Sequence, residues 1–375
     1  DLMSEFIPVN EPIFEGNEKK YLNECIDTGW VSSEGPFVEK FEKGMASITS
    51  RKFSIAVSSG TAALDIAVEA LGIGEGDEVI MPTFTIISCI HQIIRSKAKP
   101  VFIDSDLYSW NMNVDQIESK ITDQTKAIMV VHIYGLPVDM DPVLSLAKKY
   151  NLKIIEDAAE LIGQTYKGLP CGSFGDISTM SFYPNKHITS GEGGMVFTDD
   201  EEIAKKCYEL RNLCFQKEKR FVHHKIGWNY RMTNIQAAIG LAQLEQLKKF
   251  LIKKREIGSI YNNILSEFDY LQLPLNKTIY AENIYWVYGI ILKDNLKITV
   301  SELMQKLAKK GIGTRPFFYP MHKQPILNKM NIIMDNYYPI SEKLSDRGFY
   351  LPSGLGLSTE KIPLITEELI NVINV

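Results

Sequence analysis

The chain has 375 residues, 45% of them hydrophobic and 23% charged, with a formal net charge of −5. That length suits two domains or one large α/β unit with an appendage, and the composition is ordinary for a soluble globular enzyme. A net acidic balance with scattered basic residues argues against nucleic acid or an anionic membrane as a partner, and no apolar run reaches the roughly 18–20 residues of a membrane-spanning helix.

Residues 1–12 read as an N-terminal arm. Its first eight residues are acidic and do not resemble a signal peptide, and Met3 reads as the natural start. From residue 13 to about 250 the pattern is that of a large domain. Ser54-Ile-Ala-Val57 reads as a strand and Thr61–Leu71 as a helix. Glu78–Met81, Pro100–Ile103, Ala127–His132 and Leu152–Ile155 then read as buried strands, with a helical Asp141–Lys149 among them. Strand–helix alternation with nearly all-apolar strands predicts a mostly parallel sheet covered on both faces, and ligands of such sheets collect at the C-terminal ends of the strands. Ile235–Tyr261 reads as one long helix, with Lys248, Lys249, Lys253, Lys254 and Arg255 as its solvated face. Residues 251–375 mix shorter elements and turns, as in a smaller α+β domain. Cys25, Cys89, Cys171, Cys207 and Cys214 include no CxxC pair, which predicts reduced thiols, no metal site and a cytoplasmic location.

Three segments carry chemistry. In Val57-Ser-Ser-Gly60-Thr61 a strand enters a turn that opens a helix, so free N–H groups and the helix dipole converge on a spot suited to phosphate; a plain helix cap reads the same way. In Ile154-Ile-Glu156-Asp157 an apolar strand ends in a carboxylate, which is either a helix cap or a partner for a cationic ring nitrogen. In Ser181-Phe-Tyr-Pro-Asn-Lys186-His-Ile-Thr-Ser-Gly191 a lysine precedes a glycine-rich run and the strand-like Met195–Thr198. Desolvated in a cleft, that amine would be a nucleophile toward an aldehyde; on a hairpin surface it would be an ordinary lysine. Taken together, the three pieces suit pyridoxal 5′-phosphate. Its ring nitrogen, aldehyde carbon and phosphate call for a carboxylate, a lysine and an anion cradle from separate strand-end loops, with the Ser181 hydroxyl as a further phosphate ligand.

Across nearly the whole chain the sequence resembles the DegT/DnrJ/EryC1/StrS family of pyridoxal phosphate-dependent sugar aminotransferases. The resemblance rests on SSGTAAL at 58–64, GDEVIMPTFT at 76–85, IIEDAAE at 154–160, GSFGDISTMSFYPNKHITSGEGGMVFTDD at 172–200, GWNYRMTNIQAAIGLAQLEQL at 227–247, TRPFFYPMH at 314–322 and LPSGLGLS at 351–358. It implies the aspartate-aminotransferase fold (fold type I), a large domain with a mostly parallel mixed sheet plus a smaller C-terminal α+β domain. It further implies Lys186 as the cofactor-bonded, proton-shuttling lysine, Asp157 at the ring nitrogen and Glu160 beside the ring. Gly60, Thr61 and Ser181 would hold the phosphate, with Asn229 reaching in across a homodimer interface. Ile86 departs from the pattern: relatives have an aromatic residue there that stacks on the ring, so either Ile86 or a shifted Phe84 must cover it. Trp30 and Ser33 match a loop near the substrate. Arg315, Tyr319 and His322 share a loop suited to a diphosphate or a carboxylate, or else to rigid packing between domains, while His132 and Tyr134 read as supporting or core residues.

The resemblance implies L-glutamate as donor and a nucleotide-linked 4-keto-6-deoxyhexose as acceptor, nearest to members that aminate C4 of a GDP-linked sugar. A UDP- or dTDP-linked acceptor, or amination at C3, stays open. A dehydratase is disfavoured because Lys186, not His187, occupies the key position. A non-catalytic regulator is disfavoured because no basic helix-turn-helix segment is present.

Overall fold

Runs such as Ile55-Ala-Val57 form strands because their side chains pack on both faces of a sheet, and alternate residues divide between two apolar layers. Ile55, Val57, Val79, Met81, Ala127 and Met129 join one layer, and Ala56, Ile80, Ile128, Val130 and Ile154 the other. The computed structural model describes residues 6–332 and 337–374, so the expectations for residues 1–5, including the start at Met3, lie outside the described residues. Its strands are β1 (Phe53–Val57), β2 (Glu78–Pro82), β3 (Lys99–Ile103), β4 (Thr125–Val131) and β5 (Lys153–Asp157), a small hairpin of β6 (Thr165–Tyr166) and β7 (Leu169–Pro170), then β8 (Ile177–Ser181) and β9 (Gly194–Thr198). Seven of them form the main sheet in the order β1-β9-β8-β5-β4-β2-β3. Only β9 runs against its neighbours in that described sheet, with Val57 opposite Gly194 and Ser181 opposite Gly194 on its other side.

Helices α1 (Glu18–Thr28), α2 (Pro36–Thr49), α3 (Gly60–Ala70), α4 (Ser88–Arg95), α5 (Met140–Tyr150) and α6 (Glu201–Arg211) surround this sheet. The layer containing Ile55 takes α3, α4 and α6; the layer containing Ala56 takes α2 and α5.

The expected long helix is two helices, α7 (Asn234–Glu245) and α8 (Leu247–Leu265), broken at Gln246, whose N–H turns back to Gln243 and Leu244. The break separates two packing tasks. The first helix fits against α1 and α2, with Gly240 seated on Phe41. The second sends Lys254 Nζ to the carbonyls of Trp286 and Ser353, and Tyr261 Oη to that of Pro352. Lys254 is therefore not part of a solvated face: it is only 3% exposed. Periodicity placed it wrongly because an ammonium whose donors meet two buried carbonyls can occupy an inward position.

Beyond α8, β10 (Leu271–Gln272), β11 (Tyr288–Leu292), β12 (Arg315–Pro316) and β13 (Gly348–Leu351) form an antiparallel sheet ordered β10-β11-β13-β12. Helices α9 (Val300–Lys309), α10 (Pro325–Lys329), α11 (Pro339–Arg347) and α12 (Ile362–Ile373) complete the chain. Ile257, Tyr261, Leu292, Leu303 and Leu369 build a third apolar cluster here. The arm crosses to this region through an Ile7–Ile312 bridge, and Asn10 Nδ2 donates to the Pro184 carbonyl at 3.1 Å.

Candidate active site

The strand order puts the loops after β1, β5 and β8 side by side, and a cavity of about 360 Å³ opens among them. Gly60, Thr61, Ile86, Asp157, Glu160, Ser181 and Lys186 all line it. The geometry thus unites seven of the residues singled out in the sequence, drawn from four separate segments.

At one end, Ser59 caps α3, its Oγ accepting the Ala62 N–H at 3.0 Å. The first-turn N–H groups of Gly60 and Thr61 have no intrahelical acceptor, as at any helix start. Gly60 is needed for close approach: a Cβ there would lie 2.7 Å from Ser181 Cβ. Thr61 Oγ1 and Ser88 Oγ meet at 2.7 Å, tying the starts of α3 and α4 together. Hydroxyls, unpaired N–H groups and a positive helix end are the donor set that an anionic phosphate selects.

At the other end, Asp157 closes β5. Its Oδ1 accepts the Ala159 N–H at 3.0 Å and its Oδ2 the Cys89 thiol at 3.4 Å. Burial pushes the Asp157 pKa up, against the pull of the Ala159 N–H and the Lys186 charge. A cationic N–H facing this carboxylate would offset that cost. Glu160 Oε2 accepts the Tyr134 N–H at 2.6 Å. Burial, opposed by Lys186, raises its pKa.

Lys186 lies between these ends, partly open to the cleft. Loss of hydration lowers its pKa, while Glu160 and Asp157 pull the other way. Its Nζ lies 4.1 Å from the centre of the Trp286 ring. Two cleft-lining polar atoms, Thr179 Oγ1 and Asn185 Oδ1, are buried without a hydrogen-bond partner among the described residues. A cleft with orphaned polar atoms, an anion cradle at one end and a desolvated carboxylate at the other fits pyridoxal phosphate.

Other expectations resolve differently. Phe84 is fully buried among Tyr134, Phe317 and Phe318 and does not line the cleft, so it is not the ring cover; Ile86, 47% exposed, stands at the cleft wall. His322 does not line the cleft. It is buried, with Nδ1 at 2.7 Å from Thr83 Oγ1 and Nε2 at 3.0 Å from Glu342 Oε1, so both ring nitrogens are engaged in packing the loop. Trp30, Ser33, Tyr319 and Asn229 lie outside this cavity's lining. The Trp30 carbonyl accepts from Asn234 Nδ2 at 2.7 Å, and Asn229 is exposed between Trp228 and Tyr230, whose rings stack at 5.1 Å. Arg315 lines an adjoining cavity of about 270 Å³ that shares Tyr183, Asn185 and Tyr350 with the first. His132, which also lines the cavity, is buried on Glu156 at 3.0 Å, and the Tyr134 hydroxyl accepts the Phe318 N–H, so both brace the walls of the site.

Sequence reasoning passed over Trp286, Phe318, Tyr350, Ser88 and Thr179, all of which line the cleft. The aromatic density of Tyr285-Trp-Val-Tyr288 was an available signal, but nothing in it showed that Trp286 faces Lys186.

The model of the DegT/DnrJ/EryC1/StrS aminotransferase family matches residues 12–370. A protein of Escherichia coli O157:H7 named GDP-perosamine synthase is 45% identical over 364 residues, covering 97% of this chain and 98% of that one. The solved aminotransferase from Psychrobacter cryohalolentis superposes with a TM-score of 0.91 at 28% identity, over 98% of this chain and 99% of its own. The PLP form of the Streptococcus pneumoniae sugar aminotransferase Spr1654 gives 0.90 at 26% identity, again over 98% and 99%.

Proposed function

The chain belongs to the DegT/DnrJ/EryC1/StrS aminotransferase family, and from that premise we propose that it moves the amino group of L-glutamate to C4 of a GDP-linked 4-keto-6-deoxyhexose. It is a pyridoxal phosphate-dependent sugar aminotransferase. The nucleotide and the carbon rest on its end-to-end similarity to the E. coli GDP-perosamine synthase.

The observation that carries the assignment of roles is Lys186, partly desolvated between a carboxylate pair and the open first turn of α3. When bound, the cofactor supplies an aldehyde carbon that bonds amines and a ring that takes up negative charge from the adjoining carbon. Lys186 would be the amine that holds that aldehyde carbon, and its Nζ, when free, would be the base and acid that moves a proton between the substrate carbon and the cofactor. Asp157 keeps the ring nitrogen protonated. Glu160, whose carboxyl burial makes harder to ionise, lines the cleft beside Lys186. Gly60, Thr61, Ser88 and Ser181 would bind the phosphate, and Ile86 and Trp286 wall the cleft.

Arg315, in the adjoining cavity, binds the diphosphate or the donor carboxylate. A cytoplasmic homodimer completes the proposal, with exposed Asn229 reaching its partner's phosphate site; the exposed Phe221 and Ile226 on the same loop support an interface there.

Replacing Lys186 by Ala should lower turnover of GDP-4-keto-6-deoxymannose with glutamate roughly a thousandfold or more; retained activity would sink the assignment. A panel of GDP-, UDP- and dTDP-linked keto sugars, followed by product NMR, tests the nucleotide and the aminated carbon.

A further inference from the structure

Trp286 enters the cleft from the segment just before β11 and is 4% exposed. Its indole N–H and its carbonyl are both engaged. Its indole Nε1 donates to the Asn185 carbonyl at 2.8 Å, in the peptide that precedes Lys186. Its own carbonyl accepts from Lys254 Nζ at 2.9 Å, and the same ammonium donates to the Ser353 carbonyl at 2.6 Å. Lys254 carries its charge into the interior, where burial lowers its pKa to about 7. The indole also packs on Tyr134 and Phe318, with ring centres 5.6 and 6.2 Å away. Tyr350 packs on it too, with ring centres 6.4 Å apart, and Lys186 Nζ lies over the indole at 4.1 Å from its centre.

We propose that Trp286 is a positioning residue for Lys186, holding the amine on its ring face and the lysine loop through its indole N–H, with Lys254 as the buried clamp that keeps the indole in place. This rests on the reading of Lys186 as the cofactor lysine. Whenever the amine is free of the cofactor, a four-carbon side chain would otherwise wander over several rotamers, at a cost in entropy each time it returned to the reacting carbon. The indole face gives the ammonium a fixed station within the cleft. The groups facing Lys186 are Asp157 at the end of β5, Glu160 in the turn after it, and Cys89 on α4, with His187 next in sequence. Trp286 supplies attraction without a second full negative charge, so the amine stays oriented and still releases its proton.

The test uses the apoprotein, with Lys186 acylated by acetic anhydride across pH and its modification followed by peptide mass spectrometry. In Trp286→Leu the titration midpoint of Lys186 should fall by about half a pH unit, because the protonated form loses the ring. Trp286→Phe, which keeps a ring face, should leave it near the wild-type value. In the loaded Trp286→Leu enzyme kcat should fall about tenfold with the KM for glutamate nearly unchanged. A midpoint that stays put or rises in Trp286→Leu overturns the proposal, since a ring that only excluded water would admit hydration on removal and favour the ammonium. Should the leucine variant fail to fold, Trp286→Met fills the space without a ring and takes its place in the comparison. The outcome is separable from the proposed function: activity in Lys186→Ala would refute the lysine's role, whereas the titration reports on the indole whatever sugar is aminated.

Discussion

Gly60→Ala is the sharpest test of the phosphate cradle. The added Cβ would sit 2.7 Å from Ser181 Cβ and 3.1 Å from its Oγ, where ordinary contact begins at 3.4 Å. Ser181 cannot retreat, because it pairs with Gly194 of β9, and Gly194 is itself packed on the Ser59 carbonyl. The strain, about 1–3 kcal/mol for overpacking, is relieved only if the first turn of α3 backs away by the missing 0.7 Å. That shift would weaken hydrogen bonds from Gly60 and Thr61 to a charged phosphate, each contributing about 1.5–3 kcal/mol. Loss of one such bond raises the cofactor dissociation constant by about 10- to 100-fold. Fluorescence titration of the apoprotein with pyridoxal phosphate measures this directly. Gly74→Ala is the control, since its Cβ would meet nothing closer than 3.9 Å. If Gly60→Ala bound within twofold of wild type while the control did the same, the cradle would lie elsewhere.

Ile86→Phe places a ring on the cleft wall at a half-exposed position and should tighten cofactor binding about 2- to 10-fold; unchanged or weaker binding in the same titration would mean that this wall does not face the cofactor ring. His187 is held at a pKa of about 3, first by burial and then by the Lys254 charge, against about 6.5 in an unfolded chain. A depressed pKa contributes stability that is present above pH 6.5 and lost as the pH falls toward 3. His187→Gln should therefore lose less stability between pH 7 and pH 4 than the wild type, by about 1 kcal/mol or more, and parallel urea midpoints would refute the account.

The main sheet was legible because its strands are short, apolar and bounded by turns, and Gly60, Asp157, Ser181 and Lys186 were legible because each sits at a strand end where α/β sheets put ligands. Their convergence was legible mainly through the family resemblance, since the order β1-β9-β8-β5 is not written in any local pattern. What escaped has physical reasons. The break at Gln246 spans one residue and leaves the apolar period almost intact. Lys254 looks solvated in any hydropathy pattern because its two acceptors, the carbonyls of Trp286 and Ser353, belong to distant segments. His322 looked chemical because imidazoles are versatile, but its partners Thr83 and Glu342 make it a packing element. Trp286 was invisible as a site residue because a single sequence does not reveal which side of a buried aromatic faces a cleft.

The antiparallel β9 has a consequence for the chain as it is synthesised. β1 meets the rest of the sheet only through β9, with Val57 opposite Gly194. At about 5–20 residues per second, the Ser58–Thr61 turn leaves the ribosome many seconds before the strand that seats it. During that interval β1 has α2 and α3 has α4 to pack on, but β1 lacks β9, and α3 lacks β8 and β9, which complete their sheet contacts. The nascent protein should therefore be a client of chaperones that shield exposed apolar segments, and it should not retain cofactor until β9 has emerged. A ribosome-stalled chain ending before Gly194 should then retain no pyridoxal phosphate after the free cofactor is washed away, although its Ser58–Thr61 turn has already been made.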